Sequence, residues 1–129
     1  MRHKKEAGAA AVEFALVVTL LITMILGVIE FGRMWAIQAS LAQAARDAAR
    51  TVAIEDDPTI AFSQVRSTFN PIAADASSGL TVPNAVRSGT EGQPDCRWTV
   101  DATYAVDTLT GFLGNIWTVT AKGSMRCNG

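Results

Sequence analysis

The chain has 129 residues, 49% hydrophobic and 18% charged, with a net charge of −1. That length holds one modest domain beside any membrane segment, and the near-neutral balance offers no basic surface for nucleic acid. Two cysteines, Cys96 and Cys127, and a single histidine, His3, are too few for a closed metal site that needs about four ligands.

Residues 1–8 (MRHKKEAG) are polar and basic, with Arg2, Lys4 and Lys5 outnumbering Glu6, whereas over the rest of the chain acids outnumber bases by three. From Ala9 the sequence turns apolar, AAAVEFALVVTLLITMILGVIEF, interrupted only by Glu13 before Glu30. Residues 9–32 are therefore expected to form a membrane-spanning helix of the usual ~20 residues. Basic residues before it and acidic ones such as Glu55, Asp56 and Asp57 after it place the amino end in the cytoplasm by the positive-inside tendency. The chain is expected to cross a membrane once, with its bulk exported. A conventional cleavable signal fits poorly, because Glu30, Arg33 and Trp35 intervene before the first A-x-A pattern, Ala42-Gln43-Ala44. Glu30 and Arg33 read as membrane-exit residues forming a local i,i+3 pair, and Trp35 as an interfacial aromatic anchor.

Helical spacing continues through residues 33–54, where Met34, Ile37, Leu41, Ala45, Ala48 and Val52 share a face and Gln43, Arg46, Asp47 and Arg50 fill the other. One helix from about Ala9 to Ile54 would be roughly 70 Å long at ~1.5 Å per residue, so its second half stands beyond the membrane. Its alanine-rich stripe needs a partner, either another helix or the protein's own strands.

Residues 55–129 are expected to form a small α+β domain. Glu55-Asp56-Asp57-Pro58 stops the first helix and starts another, with Asp57 as N-cap, Pro58 at the first position, and Phe62, Val65 and Phe69 as its apolar edge before Asn70-Pro71 ends it. Residues 72–95 read as a long irregular connection with one short strand near Leu80 to Val82.

The last third alternates. Cys96, Trp98, Val100, Ala102, Tyr104 and Val106 interleave with polar residues, as do Trp117, Val119, Ala121, Gly123, Met125 and Cys127. Setting Cys96 opposite Cys127 in an antiparallel pair puts Trp98 across from Met125, Val100 from Gly123, Ala102 from Ala121, Tyr104 from Val119 and Val106 from Trp117. All apolar residues then share one face, with Trp98, Tyr104 and Trp117 as hairpin core, and a disulfide closes the hairpin in an oxidising compartment. Thr108 to Asn115 reads as a loop or short helical turn.

The stretch Gly8-Ala9-Ala10-Ala11-Val12-Glu13-Phe14 carries the most information. A carboxylate within an apolar helix costs on the order of 3 kcal/mol at mid-bilayer, less near the interface, so Glu13 either snorkels to the headgroups or needs a partner. Cleavage after Gly8 would supply one: the new α-amino group on Ala9 lies one helical turn from Glu13, and an offset neighbouring subunit could present its own amine. Gly8 suits a protease that needs an unhindered extended peptide.

These residues resemble a class III (prepilin) signal. GAAAVEFALV followed by GVIEFGRMW and QASLAQAARDAAR is similar to the opening of TadE-like proteins of tight-adherence pilus systems, and WTVDATYAV and WTVTAKGSMRC resemble the family's closing hairpin. The resemblance implies a minor pseudopilin, cut between Gly8 and Ala9 by a prepilin peptidase, with Glu13 as the assembly and processing residue and Phe14 after it. It implies other pilins and pseudopilins, the inner-membrane assembly platform and the lipid bilayer as partners. Major pilins of this system are much shorter, which points to a minor, initiating or tip-associated role. A second reading stays open, an uncleaved single-span anchor carrying a binding module. No G-x-S-x-G or phosphate-binding glycine loop occurs, and Asp101 and Asp107 are isolated carboxylates. The expectation is a non-enzyme without cofactor, metal or small-molecule substrate.

Overall fold

The computed structural model describes residues 3–71, 78–111, 114 and 116–127, with side chains from Gly8 onward. Helix α1 (His3–Glu55, 53 residues) is followed by a single 3-10 turn (Pro58–Ile60), helix α2 (Ala61–Thr68) and strands β1 (Leu80–Thr81), β2 (Val86–Ser88), β3 (Arg97–Asp107) and β4 (Ile116–Arg126). The chain divides into two units, Met1–Gly32 and Arg33–Gly129.

The first unit is helix. It begins at His3, earlier than the Ala9 expected from hydropathy, because Lys4, Lys5, Glu6 and Ala7 are all good helix formers and a change from polar to apolar residues does not interrupt backbone hydrogen bonding. An 18-residue window reaches a mean hydropathy of 2.6 with none of it buried, so the helix is long and apolar enough to cross a membrane. Its two threonines suit such a setting. Thr19 Oγ1 donates to the Ala15 carbonyl and Thr23 Oγ1 to the Thr19 carbonyl, both at 2.8 Å, so neither hydroxyl needs an outside partner.

The second unit is α+β, a four-stranded antiparallel sheet with the latter part of α1 across one face. β3 is central. β4 pairs along its whole length on one side, while β1 and β2 pair with separate stretches on the other. The β3–β4 register is the one read from parity: Trp98↔Met125, Val100↔Gly123, Ala102↔Ala121, Tyr104↔Val119 and Val106↔Trp117. β2 was not foreseen, since three residues with one apolar side chain become a strand only because β3 offers an unpaired edge.

The core joins Ile37, Leu41, Ala44, Ala45, Ala48, Ala49 and Val52 of α1 to Trp98, Val100, Ala102, Tyr104, Val106 and Val119 of the sheet. Of the two partners expected for the alanine stripe, its own strands are the ones it meets. Small side chains let the helix backbone come close: a Cβ added at Gly123 would lie 2.0 Å from the Ala45 carbonyl oxygen. Phe69 adds an edge-to-face contact with Tyr104, ring centroids 4.9 Å apart.

Two expectations about side chains fail. Phe62 is 41% exposed, and the inner face of α2 is Ala61, Val65 and Phe69, because the 3-10 turn resets the helical phase. Trp117 holds its predicted register yet is 46% exposed; it lies on the edge strand near the hairpin tip, where β3 flanks it on one side only. The N-cap holds: Asp57 Oδ1 accepts from Thr59 N (2.9 Å) and Thr59 Oγ1 (2.7 Å), bonds that hold its carboxyl below the ordinary value.

Candidate functional site

The residues singled out by sequence fall in two places. Gly8, Ala9, Glu13 and Phe14 stand on α1 in the first unit, all exposed, with Phe14 70% accessible. Helical geometry sets Ala9 and Glu13 one turn apart on the same face. Gly8 is itself helical, with no atom within 4 Å of where a Cβ would stand. A glycine inside a helix costs about 1 kcal/mol relative to alanine, which makes this turn the easiest place to unwind before the apolar run begins. Glu30, at the far end of the unit, is 2% exposed. That burial has no signal in the sequence beyond an acid near the end of an apolar segment.

Cys96 and Cys127 form a disulfide in the second unit, with Cα atoms 5.5 Å apart and a sequence separation of 31. It closes the open end of the hairpin, where Cys127 N also donates to the Cys96 carbonyl (3.2 Å). The predicted pairing is correct, and the bridge is structural, since Cys96 is only 2% exposed.

Around these, the second unit is tied together by polar contacts that sequence reading did not find. Arg33 Nη1 donates to the Asp107 carbonyl (2.8 Å) and Gln38 Nε2 to the Thr120 carbonyl (2.9 Å), fastening α1 to β3 and β4. At the other end of the helix Trp98 Nε1 donates to Asp56 Oδ1 (3.2 Å). Arg87 lies 3.7 Å from Asp56, 3.2 Å from Glu91 and 5.5 Å from the centre of the Trp98 ring. Asp56 sits at φ 52°, the left-handed conformation that ends helices. The Arg33, Gln38 and Trp98 bonds tie the latter part of α1 and its end to the sheet.

A helix suited to membrane insertion, opening on G-x-x-x-x-E and running without a break into a disulfide-closed α+β unit, is what the chain brings to a comparison with known families. Residues 8–50 match the model of the TadE-like protein family. The match starts at Gly8, takes in Ala9, Glu13 and Phe14, and ends within the part of α1 that packs on the sheet. The match covers 43 of the 129 residues, a likeness over one third of the chain. No curated protein and no solved structure matches the chain.

Proposed function

We propose that this protein is a minor pseudopilin of a tight-adherence pilus system. It is made with a basic leader, cut between Gly8 and Ala9 by a prepilin peptidase, anchored by a single inner-membrane helix and incorporated among pilin helices. Its sheet unit stands in the periplasm and helps start or stabilise the pilus. One observation carries the reading: within the family-matched stretch, Glu13 places a carboxylate on an exposed apolar helix, five residues after a helical glycine and one turn after Ala9. A buried charge is tolerated when an opposite charge meets it, and proteolysis at Gly8 creates that charge on Ala9. The disulfide supports export to an oxidising compartment.

The peptidase reads a peptide that is helical here, so cutting requires the turn around Gly8 to open. Co-expression with a prepilin peptidase is expected to remove Met1 to Gly8, read by intact mass. An unchanged mass overturns the reading and favours an uncleaved single-span anchor carrying a binding module.

A further inference from the structure

We propose that the open edge of β4, from Lys122 to Arg126, receives an acidic strand from another protein, which adds to the sheet and sets a carboxylate against Arg97 and Arg126. The site lies wholly in the second unit and holds whether or not the leader is cut.

Hydrogen bonding decides which backbone groups face that edge. Cys127 N donates to the Cys96 carbonyl across the β3–β4 pair, so in the observed register the odd-numbered residues of β4 bond to β3 and the even-numbered ones point away from it. Gln38 agrees: its Nε2 donates to the Thr120 carbonyl, an even position, and closes the edge there. Among the described residues β4 pairs with β3 alone, which leaves the N–H and C=O groups of Lys122, Ser124 and Arg126 facing outward along the edge. Side chains at all three are exposed, and β4 carries no proline to prevent pairing.

Charge decides what fits. Arg97 and Arg126 stand directly opposite each other on β3 and β4, at a non-hydrogen-bonded position where Cα atoms come within about 4.5 Å, and both are exposed on the face turned away from the core. Like charges so placed destabilise a sheet unless an anion lies between them. Ion pairs among the described residues join Arg87 to Asp56 and Glu91, and Lys122 to Asp101; neither Arg97 nor Arg126 takes part. Arg97 Nη1 instead donates to Ser124 Oγ (3.2 Å), which lays its guanidinium across β4 toward the open edge. A strand added there would stand about 4.8 Å beyond β4, where a carboxylate meets both guanidiniums while the backbone groups pair. A second copy offers no such group, since none of its β1, β2 or β4 contains Asp or Glu.

The test uses the full chain in non-ionic detergent with two labelled peptides, Thr-Val-Glu-Val-Glu-Val-Thr and its counterpart with lysine in place of glutamate. Binding is read by fluorescence anisotropy and by amide hydrogen exchange of the protein. The acidic peptide is expected to bind at least about tenfold more tightly than the basic one and to slow exchange at Lys122, Ser124 and Arg126. The double variant Arg97→Glu, Arg126→Glu is expected to reverse that preference, with near-ultraviolet circular dichroism reporting that it folds. Acidic-peptide binding that leaves those three amides unprotected and is displaced by inorganic phosphate overturns the proposal, leaving a simple anion site. No binding at millimolar peptide, equal binding of the two peptides, or protection that grows with protein concentration alone, the mark of a second copy, overturns it as well.

Discussion

Gly123→Ala is the substitution by which the packing of helix on sheet is most sharply tested. A methyl at this position would stand 2.0 Å from the Ala45 carbonyl oxygen, 2.3 Å from its carbon and 2.7 Å from Arg46 N. All three are backbone atoms, so no rotamer change relieves the clash, and either α1 or β4 must move. Helix and strand are pinned nearby by the Gln38 bond to Thr120 and by the flanking Ala44, Ala48 and Ala49, all fully buried. Overpacking in a well-filled core costs about 1–3 kcal/mol, and backbone contact belongs at the upper end. Marginal domains have only ~5–15 kcal/mol in total, and each kcal/mol lowers Tm by about 4–8 °C in a unit of this size. The assay is thermal unfolding of the full chain in detergent, followed by near-ultraviolet circular dichroism, which reports the buried Trp98 and Tyr104. A fall of roughly 10–20 °C is expected. Lys122→Ala, which removes only the exposed pair with Asp101 at 3.3 Å, is the control and is expected to shift Tm by a few degrees at most. A Gly123→Ala protein that melts with the wild type would refute close helix–sheet contact.

Removal of the disulfide by Cys96→Ser with Cys127→Ser is expected to cost about 3–4 kcal/mol in the chain-entropy model for a loop of this length, read by the same melt with and without reductant. Arg87→Ala, with its charge partly exposed, is expected to cost about 1 kcal/mol or less, and a larger loss would mean the Asp56–Trp98 corner is stiffer than its exposure implies. Since hydrogen bonds from Thr59 hold the Asp57 carboxyl below its ordinary 3.8, the stability it adds is complete above 3.8 and is lost as pH falls through the lowered value. Asp57→Ala should therefore melt below wild type near neutral pH, the gap closing in acid; a gap that widens in acid would reverse the sign. Gly8→Ala is expected to block processing by the peptidase, and Glu13→Ala to leave an inserted but poorly piliating protein, seen by mass and by pilus counts. Normal piliation of the Glu13 variant would remove that residue from assembly.

The hairpin was legible because a strict period of two over two long strands, closed by the only two cysteines, leaves one register that keeps every apolar side chain on one face. The long helix was legible from hydropathy and then from the spacing of Ile37, Leu41, Ala45, Ala48 and Val52. What escaped depends on partners that a local pattern does not name. Val86-Arg87-Ser88 becomes a strand only through β3, and Gly123 looked like one more alternating position until Ala45 was opposite it. Phe62 was assigned to an apolar helix edge by its spacing and Trp117 to the hairpin core by strand alternation, while a 3-10 turn and an edge position decided their exposure. The motif at Gly8, Ala9 and Glu13 was visible at once, because glycine, small residues and a carboxylate in an apolar run are chemically distinctive.

The first residue of the mature protein tests the pseudopilin reading most directly. Protein recovered from piliated cells should begin at Ala9, with intact mass short by the residues through Gly8. A full-length protein still starting at Met1 in cells that assemble pili would contradict it.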